Sequence, residues 1–143
     1  RDLHSFPTRR SSDLALDRYG NLCAGTSTGG MTGKRYGRIG DTPLIGAGTW
    51  ADNATCAVSC TGHGEFFIRG NIAREVAALM EYKDETLQDA SAGALEKLTT
   101  MGGTGGFIAL DARGNLAMPF NTSGMFRGYI RSTGEKETAI FAP

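Results

Sequence analysis

Apolar and polar positions along this chain keep one period near its two ends and another in the middle. From Ala15, short apolar runs alternate with turn residues: Ala15-Leu16-Asp17, then Arg18-Tyr19-Gly20-Asn21, then Leu22 onward to Thr28. A Gly-Asn turn between two such runs predicts a β-hairpin. Residues 29–41 are glycine-rich and polar and carry Lys34, Arg35 and Arg38, a long loop of the kind that is either functional or disordered in a compact domain. Strands are expected again over residues 43–51 and 54–60. The period then changes. Ile68, Ile72, Val76, Leu79 and Met80 fall at i, i+4, i+8, i+11 and i+12, one stripe of a helix over residues 67–82. Leu87, Ala90, Ala94, Leu95 and Leu98 line a second helix over 86–101, which Gly102-Gly103 stops. Strands return at 107–111 and 116–120, with shorter ones around Tyr129 and Ile140-Phe141.

Strands, a helix pair and strands again make an α+β layered order. An internal echo sharpens it: Leu16-Asp17-x-x-Gly20-Asn21-Leu22, with Thr28-x-Gly30-Met31, recurs as Leu110-Asp111-x-x-Gly114-Asn115-Leu116, with Thr122-x-Gly124-Met125. Two copies are too few for a solenoid, which needs about three repeats, so two similar hairpins in facing or adjacent sheets are expected. Residues 1–14 follow neither period. Phe6-Pro7-Thr8-Arg9-Arg10-Ser11-Ser12-Asp13 reads as a leader, either a foreign segment such as a translated adapter or a natural disordered tail. Residues 15–143 then form one domain, within the usual range of about 100 to 200 residues.

Fifteen basic residues balance fifteen acidic ones, which removes the general phosphate attraction of a nucleic-acid binder and leaves little pull toward an anionic membrane. No apolar run nears the roughly 18 residues that span a bilayer. The three cysteines, Cys23, Cys56 and Cys60, are odd in number and sparse, which suits a reducing compartment such as the cytoplasm. Twenty-one glycines gather in Thr-Gly-Gly, Gly-His-Gly and Gly-Gly-Thr-Gly-Gly segments, the mark of tight turns or of a ligand approaching the main chain.

Those segments carry a resemblance. Thr26-Ser27-Thr28-Gly29-Gly30-Met31-Thr32, the stretch from Gly37-Arg38-Ile39-Gly40-Asp41 to Gly48, and Ser59-Cys60-Thr61-Gly62-His63-Gly64-Glu65 resemble the β-subunit of isoaspartyl peptidases and plant-type asparaginases. Gly102-Gly103-Thr104-Gly105-Gly106 and Pro119-Phe120-Asn121-Thr122-x-Gly124-Met125 match the same family. The sister glycosylasparaginases share the Gly-Arg-x-Gly-Asp-x-Pro stretch, but the Ser-Cys-Thr-Gly-x-Gly-Glu and Gly-Gly-Met forms favour the isoaspartyl group. The resemblance implies half of a four-layer αββα sandwich, made as a precursor that cuts itself into α- and β-chains and assembles as (αβ)2. It implies no cofactor. The activity implied is hydrolysis of the side-chain amide of L-asparagine, or of β-aspartyl dipeptides, through an acyl-enzyme on an N-terminal threonine, whose freed α-amine, with a pKa of about 8, serves as base.

By the same resemblance, Thr28 matches a threonine beside the nucleophile. Thr61 and Gly62 match the oxyanion hole, a hydroxyl and a backbone N–H, where one donor is typically worth about 10² to 10³ in rate. Arg38 and Asp41 match the clamp on the substrate's α-carboxylate and α-ammonium, with Gly64 offering a carbonyl to the same ammonium. The pattern breaks at the nucleophile. Family β-chains begin Thr-Val-Gly-Ala-Val-Ala-x-Asp, and counting back from Asp17 lands on Arg10, which has no hydroxyl. Thr8 is about 6.6 Å further along a strand. The chain as written is therefore expected to be inactive, with the α-chain needed as partner. A non-catalytic subunit or fragment is the alternative. Two further readings are a phosphate nest at residues 61–64, which lacks the P-loop ending, and a zinc site of Cys56, Cys60 and His63 without a fourth ligand near in sequence. Cysteines buried as small hydrophobes in a core strand explain the latter better, so no metal is expected.

Overall fold

The structure, a computed structural model, describes residues 10–30 and 33–142, and for Arg10 and Ser11 the backbone alone. Strand β1 (Arg10–Leu16) pairs antiparallel with β2 (Leu22–Thr28), from Arg10 opposite Thr28 to Leu16 opposite Leu22. The β-pattern expected to start at Ala15 thus starts earlier. Pairing with β2 explains it, since Ser12, Leu14 and Leu16 are half-buried while Asp13 and Ala15 face out. The last residues of the segment set apart as a leader belong to the fold; residues 1–9, Thr8 among them, lie outside the described residues.

Strands β3 (Thr49–Ala51), β4 (Cys56–Gly62), β5 (Gly105–Asp111) and β6 (Leu116–Ala117) form an antiparallel sheet in that order. A separate hairpin, β7 (Arg127–Ile130) with β8 (Lys136–Ala139), closes the described chain. The strand expected over 43–51 shrinks to its last turn of sequence. Residues 43–48 are turns: Leu44 N–H donates to the Asp41 carbonyl and Gly48 N–H to the Leu44 carbonyl, and Gly46 sits at φ 90°. Phe120 keeps only a single bridge to Gly106.

The first expected helix is two. Helix α1 (Gly64–Gly70) and α2 (Ile72–Lys83) meet at Asn71, whose φ of 50° and ψ of 47° are left-handed. Asparagine is among the few residues that tolerate this conformation. Gly70 lets the chain pass close to Ile72 and Met101, since a Cβ there would stand 2.7 Å from Ile72 Cδ1. The break explains why Ile68 of the predicted stripe is exposed while Ile72 and Val76 are fully buried. Helix α3 (Leu87–Thr100) is as predicted, capped by Thr86, whose hydroxyl accepts from Asp89 N–H at 3.2 Å.

Helices α2 and α3 cover one face of the four-stranded sheet and the β1–β2 ribbon covers the other. The first face is apolar: Cys56, Val58, Cys60, Phe107 and Ala109 pack on Phe67, Ile72, Val76, Leu87 and Leu98. Helices, sheet and ribbon stack in an α+β order consistent with half of an αββα sandwich. The echoed motifs close like turns. Asp17 Oδ1 accepts from Asn21 N–H and Asp111 Oδ1 from Asn115 N–H, both at 2.9 Å, and Gly20 and Gly114 take φ of 87° and 81°. The two hairpins lie in facing layers, as expected.

Candidate functional site

At the top of β4 the backbone is squeezed against β5. Gly62 pairs with Gly105, at φ 147° and 153°, and a Cβ on either would strike the backbone of the other. Only glycine fits at both. Asn121 holds the loop before β5: its Oδ1 accepts from Gly105 N–H at 2.8 Å and its amide donates to the Gly103 carbonyl at 2.9 Å. Beyond Gly62 the chain turns through His63, whose N–H donates to the Thr104 carbonyl at 3.0 Å and whose Nδ1 lies 3.0 Å from Thr104 Oγ1. It enters α1 at Gly64, where a Cβ would stand 2.6 Å from Asp41 Oδ1 and 3.0 Å from Asp41 N. Gly64 is thus a glycine because a completely buried carboxylate packs on it.

A cleft of about 370 Å³ opens beside this turn. Its wall takes Thr28 from the end of β2, Arg38 and Asp41 from the long loop, and Gly62 and Gly64 from the β4–α1 turn. Five of the six sequence-predicted residues therefore share one cleft. Thr61, the sixth, lines an adjoining cavity of about 1030 Å³ in which Gly62 also takes part. Thr28 Oγ1 accepts from Gly30 N–H at 3.0 Å. Arg38 sits 3.8 Å from Glu65, with both side chains well exposed. An open pair of this kind is worth about 0–1 kcal/mol, so the guanidinium is easily exchanged to a competing carboxylate. The motif residues Met31 and Thr32 lie outside the described residues.

Other residues around the cleft carry no role in the sequence reading. Thr26, which lines the cleft, sets its hydroxyl 2.5 Å from that of Ser59, joining ribbon to sheet one residue pair below Thr28 and Thr61. Both belong to quoted motifs; the signal that could have found them is the two-residue spacing, which puts Thr26 with Thr28 and Ser59 with Thr61 on common strand faces. Lys34 also lines the cleft.

Cys56 and Cys60 are fully buried among helix residues, and Cys23 is exposed. Burial, reinforced by the nearby Asp111 and Asp52, pushes the Cys56 thiol up to about 12. Such a thiol is a core hydrophobe and a poor ligand. Among the described residues no group of three or more His, Cys, Asp and Glu is placed to hold a metal ion, and no helix is long and apolar enough to cross a membrane.

Helices on one face of an antiparallel sheet, a ribbon on the other, and a polar cleft where ribbon, loop and sheet meet define an α+β layered-sandwich protein. Residues 13–140 match the family model described as asparaginase, and the chain belongs to that family. It is 53% identical over 129 residues to an isoaspartyl peptidase of Salmonella typhimurium, covering 90% of this chain and 41% of that protein. The isoaspartyl peptidase of Escherichia coli is likewise 53% identical over 129 residues, with 90% and 40% covered. A plant-type L-asparaginase of Pyrobaculum calidifontis is 44% identical over 118 residues, with 81% and 39% covered. The chain thus spans about two fifths of the length of the curated relatives it matches.

Proposed function

We propose that the whole protein hydrolyses the side-chain amide of L-asparagine and the isopeptide bond of β-aspartyl dipeptides through a threonine acyl-enzyme. The observation that carries this reading is the single cleft shared by Thr28, Arg38, Asp41, Gly62 and Gly64. A guanidinium and a buried carboxylate on one wall suit the α-carboxylate and α-ammonium of an aspartyl head, since a planar fork matches a carboxylate. The Gly64 carbonyl adds an acceptor for the ammonium. Gly62 N–H from the same cleft and the Thr61 hydroxyl from the adjoining cavity would receive the oxyanion, and Thr28 would steady the nucleophile. Relatives named isoaspartyl peptidase and plant-type L-asparaginase support both substrate classes.

The nucleophile itself would stand on β1 at position 10, directly across from Thr28 in the strand register. Here that residue is arginine. Arginine cannot attack a carbonyl carbon through a hydroxyl, so the chain as written would bind the aspartyl head without turning it over. The same observation favours a second reading, a non-catalytic subunit or fragment. In the first reading an α-chain from the same precursor completes the sandwich and two αβ units associate. A sparse, odd set of three cysteines fits a cytoplasmic setting.

Titration of the chain with L-aspartate, followed by calorimetry or NMR, tests the site. Saturable binding is expected, and Arg38→Ala should weaken it by at least about tenfold, the loss of about 1.4 kcal/mol that a charge-assisted bond supplies. Binding unchanged by Arg38→Ala would sink the assignment. Asparagine turnover should be absent from this chain and present when threonine stands at position 10 as a free N-terminus beside the rest of the family fold.

A further inference from the structure

The two substrate classes differ in charge on one side of the bond to be broken. Asparagine ends in an amide, whereas a β-aspartyl dipeptide carries a second carboxylate, that of the leaving amino acid, beyond the scissile nitrogen. Arg38 can answer only one of the two acids. The cleft holds a second cation. Lys34 lines it together with Thr28 and Gly30, and its side chain lies across Gly30, where a Cβ would stand 2.5 Å from Lys34 Cδ and 3.2 Å from Nζ. Gly30 N–H is in turn tied to Thr28 Oγ1 at 3.0 Å. The Lys34 side chain thus lies beside Gly30, two residues past Thr28, whose partner in the strand register is position 10. Arg38, by contrast, reaches toward Glu65 at the start of α1. Among the described residues no carboxylate pairs with Lys34, so its charge is available to a ligand.

Resting on the reading of the cleft as an aspartyl site, we propose that Lys34 is a specificity-determining residue that receives the C-terminal carboxylate of the leaving amino acid and so favours β-aspartyl dipeptides over asparagine. The scissile amide lies between the head and the leaving residue. A clamp for the head at Arg38 and Asp41 and a nucleophile position next to Thr28 therefore leave the Thr28–Lys34 edge for the group that departs. Two cations of the same cleft are matched to two acids of one substrate, one on each side of the reacting bond. Arg35, its neighbour in sequence, does not line the cleft and serves as the charge control.

A chain with arginine at position 10 lets binding be read without turnover. The probes are L-aspartate, β-aspartyl-leucine, and β-aspartyl-leucinamide, which lacks the second carboxylate. The dipeptide should bind about two- to fivefold more tightly than its amide at low salt, as expected for a single partly exposed ion pair. That preference should shrink toward unity in 1 M salt, where the Debye length is about 3 Å. Lys34→Met should abolish the preference, Arg35→Met should leave it intact, and Lys34→Arg should keep it. If L-aspartate binds but the dipeptide and its amide bind alike, or if Lys34→Met leaves their ratio intact, this inference falls and the aspartyl site stands. If L-aspartate itself fails to bind, the aspartyl site falls and this inference with it.

Discussion

Single atoms decide several positions in this chain, and Gly64 is the sharpest case. The hydrogen it carries in place of a methyl leaves room for Asp41 Oδ1, which a Cβ would approach to 2.6 Å. Asp41 is wholly buried and cannot swing into water to make way. Gly64→Ala should therefore push the carboxylate or the loop behind it, at the cost of about 1–3 kcal/mol typical of overpacking. L-aspartate binding should weaken by about tenfold or more, the equivalent of about 1.4 kcal/mol. Urea unfolding and a ligand titration of the same variant measure both effects; a titration curve identical to that of the unsubstituted chain would show that Asp41 does not hold the ligand. The need for glycine here was legible in the sequence from the family motif. Its physical cause was not, because nothing in the spacing of residues 41 and 64 says that they touch.

Between elements, the hydroxyl pair Thr26 and Ser59, 2.5 Å apart and part-buried, ties β2 to β4 beside the cleft. Ser59 is 1% exposed, so its hydroxyl would be left buried without a partner if Thr26 were removed, whereas Thr26 lines the cleft and keeps the Gly48 carbonyl at 3.5 Å. Thr26→Val keeps the shape and the strand preference but strands Ser59, and should destabilise the chain by about 1–3 kcal/mol. Replacing both at once, Thr26→Val with Ser59→Ala, should recover part of that loss, because no polar atom of the pair is then left unmet. A double-mutant cycle on urea-unfolding free energies checks it, and strictly additive losses would refute the coupling. Element existence was largely readable from periodicity: the β1–β2 hairpin, α3 and the helical region before it follow the apolar stripes. The break at Asn71 and the turns of residues 43–48 were not, since a stripe at i, i+4 continues across a left-handed residue and a run of Gly-Ala-Gly carries no period at all. The early start of β1 was hidden for a different reason. Ser12, Leu14 and Leu16 alternate with Asp13 and Ala15 too weakly to declare a strand until β2 supplies the partner.

Across the whole molecule, the decisive fact is that the central strand is covered on both faces, by helices on one side and by the β1–β2 ribbon on the other. Five of the seven residues of β4 are buried, which is why its cysteines behave as hydrophobes and why the sequence could be read for their burial but not for its depth. Cys56 reports that depth. Its thiol is raised from the ordinary 9.0 to about 12, chiefly by burial, so the folded chain holds a proton that the unfolded chain gives up sooner. A raised acid contributes its full share of stability below about pH 9; between 9 and about 12 the unfolded state binds fewer protons and the share is lost. Unfolding free energy should thus fall with rising pH across this window, and Cys56→Ala, whatever it costs at pH 7, should make that fall shallower. At pH 8 a thiol reagent should modify exposed Cys23 at once, and Cys56 and Cys60 only as fast as the sheet opens, because a buried thiol is out of the reagent's reach. Rapid modification of all three in the native chain would mean that the helices or the ribbon leave the sheet readily, and the layered stack on which the cleft depends would not be the state in solution.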